Sequence, residues 1–533
     1  MSEASALHEM PSARQALPSR SLPSFDRRRI FAFIAMVFGM FMAILDIQIV
    51  SASLAEIQAG LSASADEISW VQTSYLVAEV IMIPLSGFLS RAFSTRYMFV
   101  ASAAGFTLMS FMCATSSSLS EMIVWRALQG FLGGGMIPSV FAAAFSIFPK
   151  NKQAIVTPVI GLVATLAPTI GPTIGGLLTD AFSWHWLFLV NIIPGCLVTI
   201  AAWTLIDFDR PNFALLRDFD WGGLFGMAAF LGALEYMLEE GPAKNWFEDD
   251  LIVIALLISL VGASLFFWRA FTAKSPIVDL TAFGDRNFWT GSILSLVLGI
   301  GLYGLTYLYP VFLSRVRGYS ALMIGETMFV SGIAMFLTAP VAGFLSTRLD
   351  LRIMIAIGFT GSACGTLAAS YITKDWDFWE LMIPQILRGI SLMFCIVPIT
   401  SLALGTLAPQ QLKNASGLFN LTRNFGGAVG LAIINTVMND RMDLHLARLH
   451  EGLAWGKTAA EETLANLTMA YASRGSDAAL AATKRLSLLA RREASVMAMS
   501  DVFVILSVLF LALVSMTLLM RSPRKLGPEA AGH

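Results

Sequence analysis

Long apolar runs alternate with short polar stretches along almost the whole chain. A bilayer span needs roughly 20 apolar residues. Fourteen runs reach that length, at about 30–50, 68–90, 97–118, 120–147, 153–181, 184–206, 221–240, 250–272, 288–313, 320–346, 352–373, 378–406, 413–439 and 499–520. The tightest connection joins the third run to the fourth and is marked by Ser116, Ser117 and Ser118. The pattern predicts an all-α membrane protein with 14 transmembrane helices. One polar stretch is long. Residues 441–498 are rich in Ala, Leu, Arg and Glu, with few turn residues, so parts of them read as helix. They would form the one substantial external element.

One phrase is written twice. Pro84, Gly87, Phe88, Leu89, Ser90, Arg96 and Met98 recur 256 residues later as Pro340, Gly343, Phe344, Leu345, Ser346, Arg352 and Met354. A second, looser echo sets Glu121, Gly130 and Pro138 against Glu380, Gly389 and Pro398, at offsets of 259 to 260. Within it, Arg126-Ala127-Leu128-Gln129-Gly130 stands opposite Gln385-Ile386-Leu387-Arg388-Gly389, with arginine and glutamine exchanged. Echoes in matching positions point to two duplicated halves, a common construction of secondary transporters. The expected divisions are a tail (1–29), a six-helix bundle (30–206), two linker spans (207–286), a second six-helix bundle (287–520, including 441–498) and a tail (521–533).

Composition agrees with the spans. Charged residues make up 13% of the chain, against about 25% in soluble domains. The net charge of −1 carries no signature of nucleic-acid binding. A polar tail of about 28 residues precedes the first run, which is therefore expected to persist as an anchor. Cys113, Cys196, Cys364 and Cys395 all lie in apolar runs without metal-site spacing, so no metal is expected. The five histidines (His8, His185, His445, His450 and His533) lie in tails, loops or span ends. There is no phosphate loop, zinc-protease helix or nucleophile elbow. A catalytic site, a cofactor and ATP-driven pumping are thus not expected, which leaves an ion gradient or the substrate's own gradient.

Position matters more than total for the charges. Twenty of the 35 Lys and Arg fall in the two tails and the alternate short loops, and four in the opposite short loops. The bias predicts both termini in the cytoplasm. Only Arg126, Arg388 and Arg423 lie deep within spans, away from their ends. Ionisable groups at such depth cost at least about 2.5–3.5 kcal/mol and usually face a partner or a cavity. Asp46 and Arg126 have similar depth and opposite sign, so a pair is expected, either as a structural bridge or as a proton-sensitive switch. Glu79 has no sequence-near basic partner. It suits a proton carrier or a partner for a cationic substrate. Arg388 and Arg423 suit an anionic group or backbone carbonyls. Glu235 and Glu326 sit near span ends, where a charged head can snorkel to water. Gln48, Gln129, Arg388, Asn420 and Arg423 are the expected lining of a substrate cavity. Pro168, Gly171, Pro172, Gly175 and Gly176 suit a hinge, or close packing, in the fifth span.

Five stretches, in order, resemble one family. They are Leu45-Asp46-Ile47-Gln48-Ile49-Val50, Gly87-Phe88-Leu89-Ser90 through Arg91 and Arg96, Arg126 through Gly130, Gly171-Pro172-Thr173-Ile174-Gly175-Gly176, and Ser183 through Asn191 and Pro194. Together the chain resembles the major facilitator superfamily, in particular its fourteen-span EmrB/QacA-type drug:proton antiporters. The resemblance implies that Asp46 and Arg126 belong to proton coupling and that the glycine–proline motif favours export. Arg91 stands where the family's loop motif is acidic, which puts an acid-based interlock there in doubt. The resemblance further implies a bacterial inner-membrane pump for amphipathic drugs that works with a periplasmic adaptor and an outer-membrane channel. Export of lipids or metabolites, proton–solute symport and a non-transporting membrane receptor are the competing expectations.

Overall fold

The structure, a computed structural model, describes residues 27–64, 67–148, 150–408, 410–454, 458–472 and 477–520. The tails 1–26 and 521–533, which carry part of the expected basic bias, lie outside the described residues. Among the described residues every regular element is helical. The first group comprises α1 (Arg27–Ala52), α2 (Leu54–Leu61), α3 (Trp70–Phe93), α4 (Thr95–Ala114), α5 (Leu119–Gly133), α6 (Met136–Ile147), α7 (Lys150–Ala181), α8 (Trp186–Leu189) and α9 (Ile192–Leu205). Next come α10 (Trp221–Glu240) and α11 (Asp250–Thr272), then α12 (Arg286–Arg315), α13 (Ala321–Arg348), α14 (Leu351–Ala369), α15 (Phe378–Gly405), α16 (Leu412–Ala454), α17 (Thr458–Ala470) and α18 (Ala478–Met516).

Helix is what an apolar run must adopt in lipid, because no water is present to satisfy its backbone N–H and C=O groups. Helix starts are fixed locally by side-chain caps. Asp220, Asp249, Asp285, Ser320 and Asp350 each accept a backbone N–H from the first turn they precede. Asp377 and Glu380 form a reciprocal capping box at the start of α15.

Thirteen helical segments among the described residues are long and apolar enough to cross a bilayer, with α5 and α6 forming one of them. The expected span at 413–439 differs from these. It is the first part of α16, a 43-residue helix that carries Lys413, Asn414, Asn420, Arg423 and Asn424. Its polarity follows from its place: it packs against α3, α6, α12 and α18 rather than facing outward. The last expected span, 499–520, is likewise the end of a longer helix, since α18 begins at Ala478. Most of the stretch 441–498 is therefore helical continuation of two spans. Arg441 and His445 of α16 reach Asp501 of α18 at 3.7 and 2.9 Å. Lys374 meets Glu493 at 2.7 Å, which holds its ammonium above the ordinary lysine range.

α1 packs on α7 and α9, α3 on α5, and α4 on α5 and α9. In the later part α12 packs on α15 and α16, α13 on α15, and α14 on α15 and α18. The two groups meet chiefly through α7 with α13 and α3 with α16. α10 and α11 pair with each other, and α10 lies along both α3 and α16. Among the membrane-length helices α11 is the most outward, with Val261 and Phe271 more than two thirds exposed, as lipid contact requires.

Candidate functional site

Three contacts of fixed spacing place the first half's ionisable groups. α3 and α5 run side by side. Arg126 Nε donates to the Val71 carbonyl at 3.1 Å. One turn on, Gly130 lies so close to the Tyr75 carbonyl that a Cβ there would overlap it. One turn further, a Cβ at Gly134 would stand 2.9 Å from the Glu79 carbonyl. The missing side chains let the helices approach, and that approach brings the guanidinium to the α3 backbone. Gly130→Val is therefore expected to lower the melting temperature of the purified protein. A melting curve like that of the unaltered protein would show that the α3–α5 spacing is not critical.

The guanidinium then meets Asp46 of α1. Arg126 Nη1 donates to Asp46 Oδ2 at 2.6 Å, and neither side chain is exposed. The same Nη1 donates to Gln129 Oε1 at 2.8 Å. The carboxylate's other oxygen accepts from Gln129 Nε2 at 3.2 Å and from Asn191 Nδ2 at 2.7 Å. Asn191 also reaches Ser110 Oγ at 3.1 Å, whose hydroxyl donates to the Phe188 carbonyl at 2.9 Å. The Tyr75 ring lies under the guanidinium at 4.2 Å. A buried pair is tolerable only when its remaining lone pairs and protons are satisfied. Here one atom is left over: Arg126 Nη2 has no partner among the described residues. The expected Asp46–Arg126 pair is thus present. Gln129, expected as cavity lining, is enclosed within this network with no exposure. Depth arguments had no means of finding Ser110 and Tyr75.

Glu79 is 3% exposed, and its Oε1 has no hydrogen-bond partner among the described residues. Beside it runs α10. Trp70 and Tyr236 stack at 5.2 Å, Thr73 Oγ1 donates to Glu240 Oε1 at 3.0 Å, and Gly232 abuts Val77 and Ile81. This register carries Glu235 inward. The expectation that it snorkels at a span end is corrected: it is 6% exposed and lies within electrostatic reach of Glu79 and Glu239. The sequence pattern hid this because α10 packs on its neighbours along this face instead of presenting it to water. Glu326 is exposed.

Arg423 of α16 crosses to the first half, where its guanidinium lies 5.2 Å from the Phe141 ring, and its Nη2 donates to Asn420 at 2.6 Å. Gln48 packs against Gly171 of α7. A Cβ at Gly175 would come 2.9 Å from the Ile49 carbonyl. The glycines of the α7 motif therefore serve close approach to α1, within a continuous helix that contains Pro158, Pro168 and Pro172. Gly176 is half-buried in the same helix.

At the end of the molecule where α3 finishes and α16 starts, a Cβ at Gly87 would lie 2.8 Å from the Lys413 carbonyl. Lys413 Nζ donates to the Ser90 carbonyl at 3.0 Å and pairs with Asp209. Asp209 also accepts from the Thr95 backbone N–H and hydroxyl, each at 3.1 Å. Arg96 pairs with Asp207 at 3.3 Å, and Arg91 lies 5.8 Å from the Phe88 ring. An acidic contact joining the α3–α4 turn to α16 is therefore present despite Arg91. Its acid comes from the α9–α10 connection, too far along the chain for a local motif to reveal.

The described residues form an all-helical, lipid-length fold around a buried ion pair, the architecture of a multi-pass membrane protein. The family model of the Major Facilitator Superfamily matches residues 36–431. The chain is 43% identical to the "Colistin resistance protein EmrB" of Acinetobacter baumannii, covering 84% of this chain and 87% of that one. It is 30% identical to the "Multidrug export protein EmrB" of Escherichia coli K12, covering 79% and 82%. The crystal structure of the human organic anion transporter MFSD10 shares the fold, with a TM-score of 0.56 at 13% identity, covering 90% of this chain and 99% of that one. The chain belongs to the Major Facilitator Superfamily.

Proposed function

We propose that the protein exports amphipathic drugs or toxic organic compounds across the bacterial inner membrane in exchange for protons, by alternating access. The observation that carries this reading is the buried group of titratable side chains in the first half: Asp46 held by Arg126, and Glu79 with an unpartnered oxygen. Proton uptake by either carboxyl changes the balance of buried charge, and so biases one packing of the halves over another. The names of the relatives, resistance and export proteins, support the substrate class and direction. Drug export measured in inverted vesicles tests the reading. Export should require an imposed pH gradient and collapse with a protonophore; export that persists without the gradient would refute it.

In this reading the face bearing Arg96, Asp209 and Lys413 is cytoplasmic, by the Lys and Arg bias. The Asp209–Lys413 contact then holds the cytoplasmic side closed. Lys413→Ala should at least double the rate at which a cysteine placed at Ser139 reacts with a cytoplasmic maleimide; an unchanged rate would remove the contact from gating. The helical extensions of α16 and α18, with α17, would project into the periplasm as a docking surface for an adaptor that leads to an outer-membrane channel.

A further inference from the structure

The two halves treat their arginine differently. In the first, Arg126 and Gln129 are three residues apart on α5, hydrogen-bond to each other, and face Asp46 on α1. In the second, Gln385 and Arg388 are three apart on α15, with Arg388 Nη1 donating to Gln385 Oε1 at 3.4 Å. The guanidinium there also faces the equivalent helix, α12. Its partner is Thr306, 260 residues after Asp46, whose hydroxyl accepts from Arg388 Nη2 at 2.5 Å. That hydroxyl gives its own proton to the Leu302 carbonyl at 2.7 Å, which leaves its lone pair toward the arginine. The echo extends to the glycine: Gly389 presses on the Ser331 carbonyl as Gly130 presses on that of Tyr75. The scaffold is repeated and the carboxylate is not. Met335 likewise stands 256 residues after Glu79, and it is fully buried.

Arg388 is therefore a buried cation, 3% exposed, with no carboxylate paired to it among the described residues. Arginine does not shed its proton in proteins. Of its five N–H donors, two are engaged, and Nε is buried without a hydrogen-bond partner among the described residues. It lines a small cavity inside the second bundle, with space for about one water-sized group. Leu305, Tyr309, Ser362, Thr366, Pro384 and Leu392 are among its other walls. An unbalanced buried charge beside an open space calls for a counter-ion, and the Tyr309 and Ser362 hydroxyls in the walls add donors for it.

We propose that this cavity binds a monovalent anion, a halide or a carboxylate head group, which does for Arg388 what Asp46 does for Arg126. The site lies within one bundle, away from the meeting of the two halves, and is independent of the direction of transport.

The test uses the full-length protein in neutral detergent, with melting followed by tryptophan fluorescence. Sodium chloride or sodium acetate replaces sodium gluconate, whose anion is too large for the cavity, at constant sodium. The unaltered protein should melt at least about 2 °C higher as the anion saturates its site. A rise with chloride identifies a free inorganic ion, and a rise with acetate a carboxylate. Thr306→Asp restores the carboxylate of the first half, so it should melt higher than the unaltered protein in gluconate and should not respond to either anion. Arg388→Gln should also be insensitive; if it does not fold, Thr306→Asp decides. No rise in the unaltered protein, or an equal rise in Thr306→Asp, overturns the proposal.

Discussion

Asp46→Ala should destabilise the protein by about 3–5 kcal/mol, the cost of leaving one partner of a buried pair uncompensated, and should abolish export. Arg126→Ala should abolish export as well but cost less stability. The asymmetry is chemical. Asp46 left alone can take up a proton and become neutral, whereas Arg126 left alone must stay charged. Asn191 and Gln129 would still donate to a protonated Asp46. A double variant, Asp46→Leu with Arg126→Met, separates the two roles of the pair. Apolar replacements of similar volume are often neutral or stabilising when they remove both charges of a buried pair. The double variant should therefore regain most of the lost stability while remaining inactive. Melting curves of the three purified variants, set beside drug transport in proteoliposomes, check this. An active double variant would mean that the pair is structural, and would end its part in proton exchange.

The spans and the ion pair were legible because each rests on a strong, local signal. Twenty apolar residues have few alternatives to a membrane helix, and a buried arginine at the depth of a buried aspartate has few alternatives to pairing with it. What the sequence did not reveal was carried by packing. Glu235 looks like a span-end residue until α10 is laid along α3 by the Trp70–Tyr236 stack. Asp209 looks like one charge among many in a linker until α4 and Lys413 converge on it. Residues 413–439 read as one apolar span among fourteen, with Asn420 and Arg423 turned to a cavity, yet α16 is the helix whose polar side chains the other helices enclose. The meaning of Arg388 depends on Thr306, a residue with no charge to draw attention to it.

Glu79→Gln should leave the fold intact and cut proton-driven export at least tenfold. The replacement has the same shape and removes only the ability to ionise. Glu79 sits at 3% exposure with an unbonded oxygen, so it contributes no carboxylate hydrogen bond at Oε1 whose loss would unfold the protein. An amide there ends the burial of an ionisable group, so melting should be unchanged or slightly higher. Gln cannot carry a proton between the two faces. If Glu79 is the carrier, adding substrate to the unaltered protein in weakly buffered solution should release protons, and Glu79→Gln should release none. Substrate binding separates coupling from recognition. A variant that binds drug normally but neither exports it nor releases protons identifies Glu79 as the proton carrier. One that loses binding assigns the carboxylate to a cationic substrate instead. Export at the unaltered rate would leave Asp46 as the only buried carboxylate of the first bundle, among the described residues, available for the exchange.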